Sequence, residues 1–208
     1  MPRITEERRE ARREQVLDAA RTCVLEHGLE AVSMEMIIAR SGLSTGAVYR
    51  YFKGKDEIIA AAVTASAAEI GAAVAPILAG PAPALPSELI ESLLAAWVSY
   101  SHSGVGAAAG VDRMPVALHG WSHAQADPEL KATLRANLRG LRHRLVPAIK
   151  KWQADGVIAA SADPDAVAQL ILSICLGFVA QRSLTGDANV EAHAAALAAL
   201  TGAAREHA

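Results

Sequence analysis

SMEMIIARSGLSTGAVYRYFKGK, from Ser33 to Lys55, decides the fold of this chain. It reads as two short helices joined by a tight turn. Ser33 is an N-cap, because its hydroxyl can accept an orphan backbone N–H of the first turn. Met36, not Glu or Gln, stands three residues on, so the capping box is incomplete. Met34, Ile37, Ile38 and Ser41 share one helical face. Gly42 can take the left-handed conformation that ends a helix. Leu43 is expected as a buried plug, Ser44 as the next N-cap, and a second helix from Thr45 to Phe52.

In that second helix Val48 and Phe52 point one way, four residues apart. Thr45, Tyr49 and Arg50 point another way, with Gly46 and Ala47 small beside them. A short helix with a small, hydrogen-bonding outer face suits the major groove of DNA. Small residues let the backbone approach the duplex. The hydroxyls of Thr45 and Tyr49 can reach phosphates or base edges, and the Arg50 fork can pair with guanine or phosphate. Apolar spacing alone fits an ordinary helical hairpin equally well.

A wider pattern separates the two readings. GLSTGAVYRYFKGKDEII resembles the helix-turn-helix of the TetR family of bacterial transcriptional regulators. The residues that carry the resemblance are Gly42, Leu43, Ser44, Gly46, Tyr49, Tyr51, Phe52, Lys55 and Asp56, and it covers roughly residues 12 to 60. Ile38 stands where the family usually has a small Ala, and Gly54 where it usually has a Ser or Asn cap. The resemblance implies that Ser33, Ser44, Thr45, Tyr49, Tyr51 and Lys55 position the DNA backbone, Lys55 on a phosphate. Gly46, Ala47 and Arg50 would then meet base edges.

Composition agrees with a helical regulator. The 208 residues are 52 % apolar and 4 % aromatic, and alanine-rich, which favours helix. Net charge is −2, so bulk charge does not draw this chain to nucleic acid; local positive charge has to. Cys23 and Cys175 lie far apart, which fits a reducing cytoplasm and offers no metal spacing. Residues 58–68 are apolar, but Glu69 interrupts the run, so a soluble cytoplasmic protein without a membrane partner is expected.

Outward from the central stretch, Arg3, Arg8, Arg9, Arg12 and Arg13 alternate with Glu6, Glu7 and Glu10. This is either a solvated helix start or a basic arm near phosphates. Val16, Leu17, Ala20, Cys23 and Val24 form the stripe of a first helix that Gly28 ends. A fourth helix is expected from Lys55 to about Leu78, ended by Pro76 and GPAPALP. Ser87 should cap a helix to about Ser103, SGVGAAAG should be a mobile connection, and a shorter helix should span Asp112 to Ala126. Asp127-Pro128 and Asp163-Pro164 are cap-plus-proline starts of two long helices. Leu130, Leu134, Leu138, Leu141, Leu145, Ile149 and Trp152 should form the stripe of the first, with Pro147 kinking it. The second should end at Gly186, and a last helix should span about Val190 to Ala204.

The two terminal helices are apolar around more than one face and need a second surface; another copy of the chain is the simplest. The resembled family dimerises through this pair. His119 and His123 are four residues apart, but no further ligand completes a metal set, and no catalytic or cofactor motif is present. A small-molecule pocket is implied by the resemblance only. Trp97, Tyr100, His102, Met114, Trp121, Phe178, Gln181 and Arg182 are its candidate lining.

The expectation is therefore an all-α protein. Residues 1–56 form a DNA-binding domain, and residues 57–208 form a helical effector-binding and dimerisation domain. It would act as a ligand-responsive repressor on a palindromic double-stranded operator, released by a mostly apolar small-molecule effector. The alternative is a helical ligand-binding or scaffolding protein without operator binding.

Overall fold

The computed structural model describes residues 6–102 and 114–201. The described residues form α1 (Glu6–His27), α2 (Met34–Ser41), α3 (Thr45–Val48), α4 (Lys55–Ala79) and α5 (Pro86–Ser101). They continue as α6 (Met114–Ala126), α7 (Pro128–Ala154), α8 (Pro164–Thr185) and α9 (Val190–Leu200). No strand occurs among them, so the fold is all-α as expected.

Short-range capping sets most helix ends. The Asp127 carboxylate accepts the Glu129 and Leu130 amides at 3.0 Å, and Asp163 and Asn189 cap α8 and α9 in the same way. Gly186 closes α8 with φ +76°, and its amide bonds the Arg182 carbonyl. Two expected boundaries move. Ser87 is not the cap of α5, because the helix already begins at Pro86, whose missing N–H costs nothing in a first turn. Glu88 instead reaches back to accept the Leu85 amide at 3.4 Å. Pro76 does not end α4: the helix runs through it to Ala79, and the Gly80 amide still bonds the Pro76 carbonyl at 3.1 Å. The SGVGAAAG connection, the Asp112 start of α6 and the final residues of the expected last helix lie outside the described residues.

The chain divides into two compact units, the described parts of Met1–Ala67 with His102–Thr133, and of Ala68–Ser101 with Leu134–Ala208. In the first, α1 packs on α2 and α6. Val16, Leu17, Ala20, Ile37, Val48 and Ile58 are fully buried there. Each large aliphatic side chain so buried contributes about 1.5–3 kcal/mol over leaving it in water. In the second unit α5 lies against α8 and α9, with Leu89, Ile90, Leu94, Leu145, Ile149, Trp152 and Phe178 in its core. The expected α7 stripe is buried at Leu130 and from Leu145 to Trp152, whereas Leu138 is exposed and Leu134 and Leu141 are half-buried. By length and composition alone, α4 and α8 are apolar enough to cross a membrane.

Candidate nucleic-acid interface

The interface is built by two small serine-capped helices. Ser33 accepts the Met36 amide at 3.3 Å and starts α2. Hydrogen bonding from the same serine lowers the pKa of the Glu35 carboxyl below its ordinary value, helped by the Glu35 backbone amide. Gly42 ends α2 with φ +66°, a conformation in which a side chain would be strained. Ser41, read from sequence as a member of the apolar face, has a larger role. It is 3 % exposed; its hydroxyl donates to the Ile38 carbonyl at 2.8 Å and accepts the Leu43 amide at 3.2 Å. One side chain thus satisfies a terminal carbonyl and a turn amide that the change of direction would otherwise orphan. A serine two residues before Leu43 was the available signal. Leu43 itself is half-buried, not the buried plug expected.

Ser44 accepts the Ala47 amide at 3.3 Å and starts α3. This helix is shorter than the expected Thr45 to Phe52. Past Val48 the Arg50 and Tyr51 amides turn to the carbonyls of Ala47 and Val48, three residues back, at 3.3 and 2.9 Å. The last turn is therefore tightened rather than regular. Val48 is 0 % and Phe52 3 % exposed, and this pair holds α3 to the core. The opposite side of the turn carries Ser44, Thr45, Gly46, Tyr49 and Arg50, all exposed, with Ala47 half-buried beside them. Tyr49 is 50 % exposed. Tyr51, Lys55 and Ser33 are half-buried at the edges of this surface.

The supports come from flanking helices. The Arg13 guanidinium of α1 lies 5.5 Å from the Phe52 ring centre, a cation–π contact. Gln15 donates its side-chain amide to the Ser41 carbonyl at 2.6 Å, and Arg40 pairs with Glu26. Lys55 opens α4, whose start is reinforced by Glu57: its carboxylate accepts the Lys53 amide at 2.6 Å. This supplies the anchoring that Gly54 has no side chain to give.

The effector candidates divide between the units. His102, Met114 and Trp121 belong to the first, respectively exposed, buried and half-buried. Trp97, Tyr100, Phe178, Gln181 and Arg182 belong to the second. There the Tyr100 hydroxyl donates to Glu69 at 2.9 Å, and Phe178 meets His193 edge-on at 5.1 Å. Arg182 donates to the Ala188 carbonyl at 3.0 Å, and Gln181 is exposed.

A three-helix unit presenting such a serine-capped turn and a small, hydroxyl-rich outer face is a helix-turn-helix domain of the bacterial regulator class. Residues 16–62 match the family model of bacterial regulatory proteins, tetR family, and residues 107–205 match that of the BetI-type transcriptional repressor C-terminal region. The chain belongs to the TetR family. A helix-turn-helix transcriptional repressor of Mycobacterium tuberculosis is 36 % identical over 28 % of this chain and 31 % of its own length. The regulator BetI of Serratia proteamaculans is 25 % identical over 89 % of this chain and 88 % of its own. The solved SmeT–triclosan complex, SmeT being the repressor of a Stenotrophomonas maltophilia multidrug efflux pump, superimposes with a TM-score of 0.66 at 24 % identity, covering 93 % of this chain and 91 % of that one. The chain matches the first curated relatives over only about a third of their own length (31 %, 28 % and 40 %).

Proposed function

We propose that this chain is a ligand-responsive transcriptional repressor that binds a palindromic operator as a homodimer. The observation that carries the reading is the outward row Thr45, Gly46, Tyr49 and Arg50, exposed on a turn whose inner side is fixed by Val48 and Phe52. Arg50, Gly46 and Ala47 meet base edges; Ser33, Ser44, Thr45, Tyr49, Tyr51 and Lys55 hold the backbone. The functional boundary falls at residue 56, where α4 begins to leave the DNA. Two copies set two recognition helices about one turn of DNA apart, ~34 Å, so the operator is a palindrome or close to one.

Dimerisation uses α8 and α9. Leu170 is 61 %, Leu184 80 % and Leu200 85 % exposed, a poor arrangement for solvated helices and a natural one for a covered face. Leu170, Gly177 and Leu184 recur every seven residues along α8, and a Cβ added at Gly177 would meet nothing within 4 Å. The same covered role accounts for the apolar length of α8 without a membrane, and the protein works in the cytoplasm.

The effector is a small, mostly apolar molecule, held in the second unit among Trp97, Tyr100 and Phe178, with Gln181 and Arg182 as polar contacts. A bound triclosan in SmeT, a protein of this fold, supports an apolar ligand class. Effector binding favours a dimer whose recognition helices are spaced wrongly for the operator. It shifts that equilibrium only by its differential affinity for the two states.

Selection of DNA fragments from a random pool by the purified protein, repeated with Arg50→Ala, tests the reading. A palindrome enriched by the wild type and blurred by the variant supports it. Binding without sequence preference by the wild type sinks it and favours a helical ligand-binding or scaffolding role.

A further inference from the structure

The arginines of α1 fall into two sets. Arg9 pairs with Glu6 at 3.9 Å and Arg13 with Glu10 at 3.4 Å; Arg21, 4 % exposed, is clamped by Glu14 at 2.6 Å and Asp18 at 2.7 Å. Arg8 and Arg12 have no carboxylate partner among the described residues, although Glu6, Glu10 and Glu14 lie on the same helix. A solvated face of mixed charge would pair them indifferently. Instead the two unneutralised cations stand one turn apart and line one open groove with Ala11 and Gln15. These four positions follow the i, i+3, i+4, i+7 spacing of a single helix face.

Gln15 connects this groove to the interface. From the same face its amide reaches the Ser41 carbonyl at 2.6 Å, at the start of the turn that delivers α3. The unpaired positive face of α1 is thus fixed in register with the recognition turn. Ala11, on the same face, adds only a methyl group beside the two arginines.

We propose that Arg8 and Arg12 form a second phosphate clamp, extending the footprint of each protomer along the DNA backbone beyond the helix-turn-helix itself. The clamp rests on the operator-binding function proposed above. It holds phosphate oxygens through charge-assisted hydrogen bonds and reads no base. Its contribution is therefore independent of sequence and is released by salt.

The test measures binding of the full chain to its selected palindrome and to random duplex between 50 and 200 mM salt, for the wild type, Arg8→Gln/Arg12→Gln, Arg8→Lys/Arg12→Lys and Arg9→Gln. Each phosphate contact adds about 0.9 to the slope of log affinity on log salt, so the glutamine pair lowers its magnitude by about two per protomer. Affinity falls by a similar factor on both DNAs, the lysine pair keeps the wild-type slope, and Arg9→Gln leaves it unchanged. Circular dichroism confirms that the variants, altered only at exposed positions, keep the fold. An unchanged slope in the glutamine pair, with the wild type still selecting its palindrome, overturns the clamp alone. A wild type with no affinity for DNA overturns the clamp and the repressor together.

Discussion

The indole N–H of Trp152 donates to the carbonyl of Pro83 at 2.8 Å, while the ring itself is 0 % exposed. The bond ties α7 to the proline-rich segment between α4 and α5. Proline has no amide of its own to anchor such a segment, so the carbonyl serves. Trp152→Phe keeps most of the packing and loses the bond, leaving the carbonyl of half-buried Pro83 unmet. It should cost about 1–3 kcal/mol in denaturant unfolding. Trp152→Ala should cost about 3–5 kcal/mol through the cavity left behind.

A second close fit lies in the first unit. A Cβ added to Gly120 would stand 2.7 Å from Cγ1 and 2.8 Å from Cγ2 of Val63. Valine has one stiff rotatable bond and cannot swing both methyls away. Gly120→Ala should therefore destabilise by about 1–3 kcal/mol, although Ala is the better helix former. Adding Val63→Ala should recover part of the loss. A thermal-melt double-mutant cycle that is strictly additive would refute the contact.

Base reading and phosphate holding separate experimentally at the interface. Arg50→Ala should cost about 1–3 kcal/mol on the preferred operator and relax preference at one position. Lys55→Ala should weaken binding to all sequences alike and flatten the salt dependence by about one per protomer. Equal weakening by Arg50→Ala on every sequence would move Arg50 to the backbone set.

The outward leucines predict the oligomeric state. Leu170→Glu with Leu184→Glu should convert the chain to a monomer in sedimentation velocity, with α-helical content retained. Unchanged sedimentation would place the dimer surface elsewhere. Both positions are more than half exposed in the isolated chain, so the charges cost nothing in the fold itself.

Burial raises the pKa of the Cys175 thiol from an ordinary 9.0 to about 12. A folded pKa above the unfolded one means that the unfolded chain releases a proton that the native chain keeps. Stability from this thiol is whole below pH 9 and falls as pH rises from 9 towards 12. Cys175→Ala should lower stability at neutral pH through lost packing, yet make its decline above pH 9 shallower. Urea midpoints across that range check the sign. Burial also raises the Cys23 pKa, so some decline should remain.

Much of this molecule is legible because it is written in nearest neighbours. Ser33, Gly42, Ser44, Asp127, Asp163 and Gly186 act on backbone groups within a few residues, and local capping works the same way in almost any context. The inward pair Val48 and Phe52 and the outward row around Arg50 follow from helical spacing alone. Tertiary structure decided what depends on residues distant in the chain. The Ser41 carbonyl is taken by Gln15, twenty-six positions earlier. Phe52, buried in the core, meets Arg13 of α1, thirty-nine positions earlier. Arg8 and Arg12 differ from Arg9 and Arg13 in which carboxylates each side chain can reach. Composition treats all four as equal; their geometry sets two beside a carboxylate and two without one among the described residues.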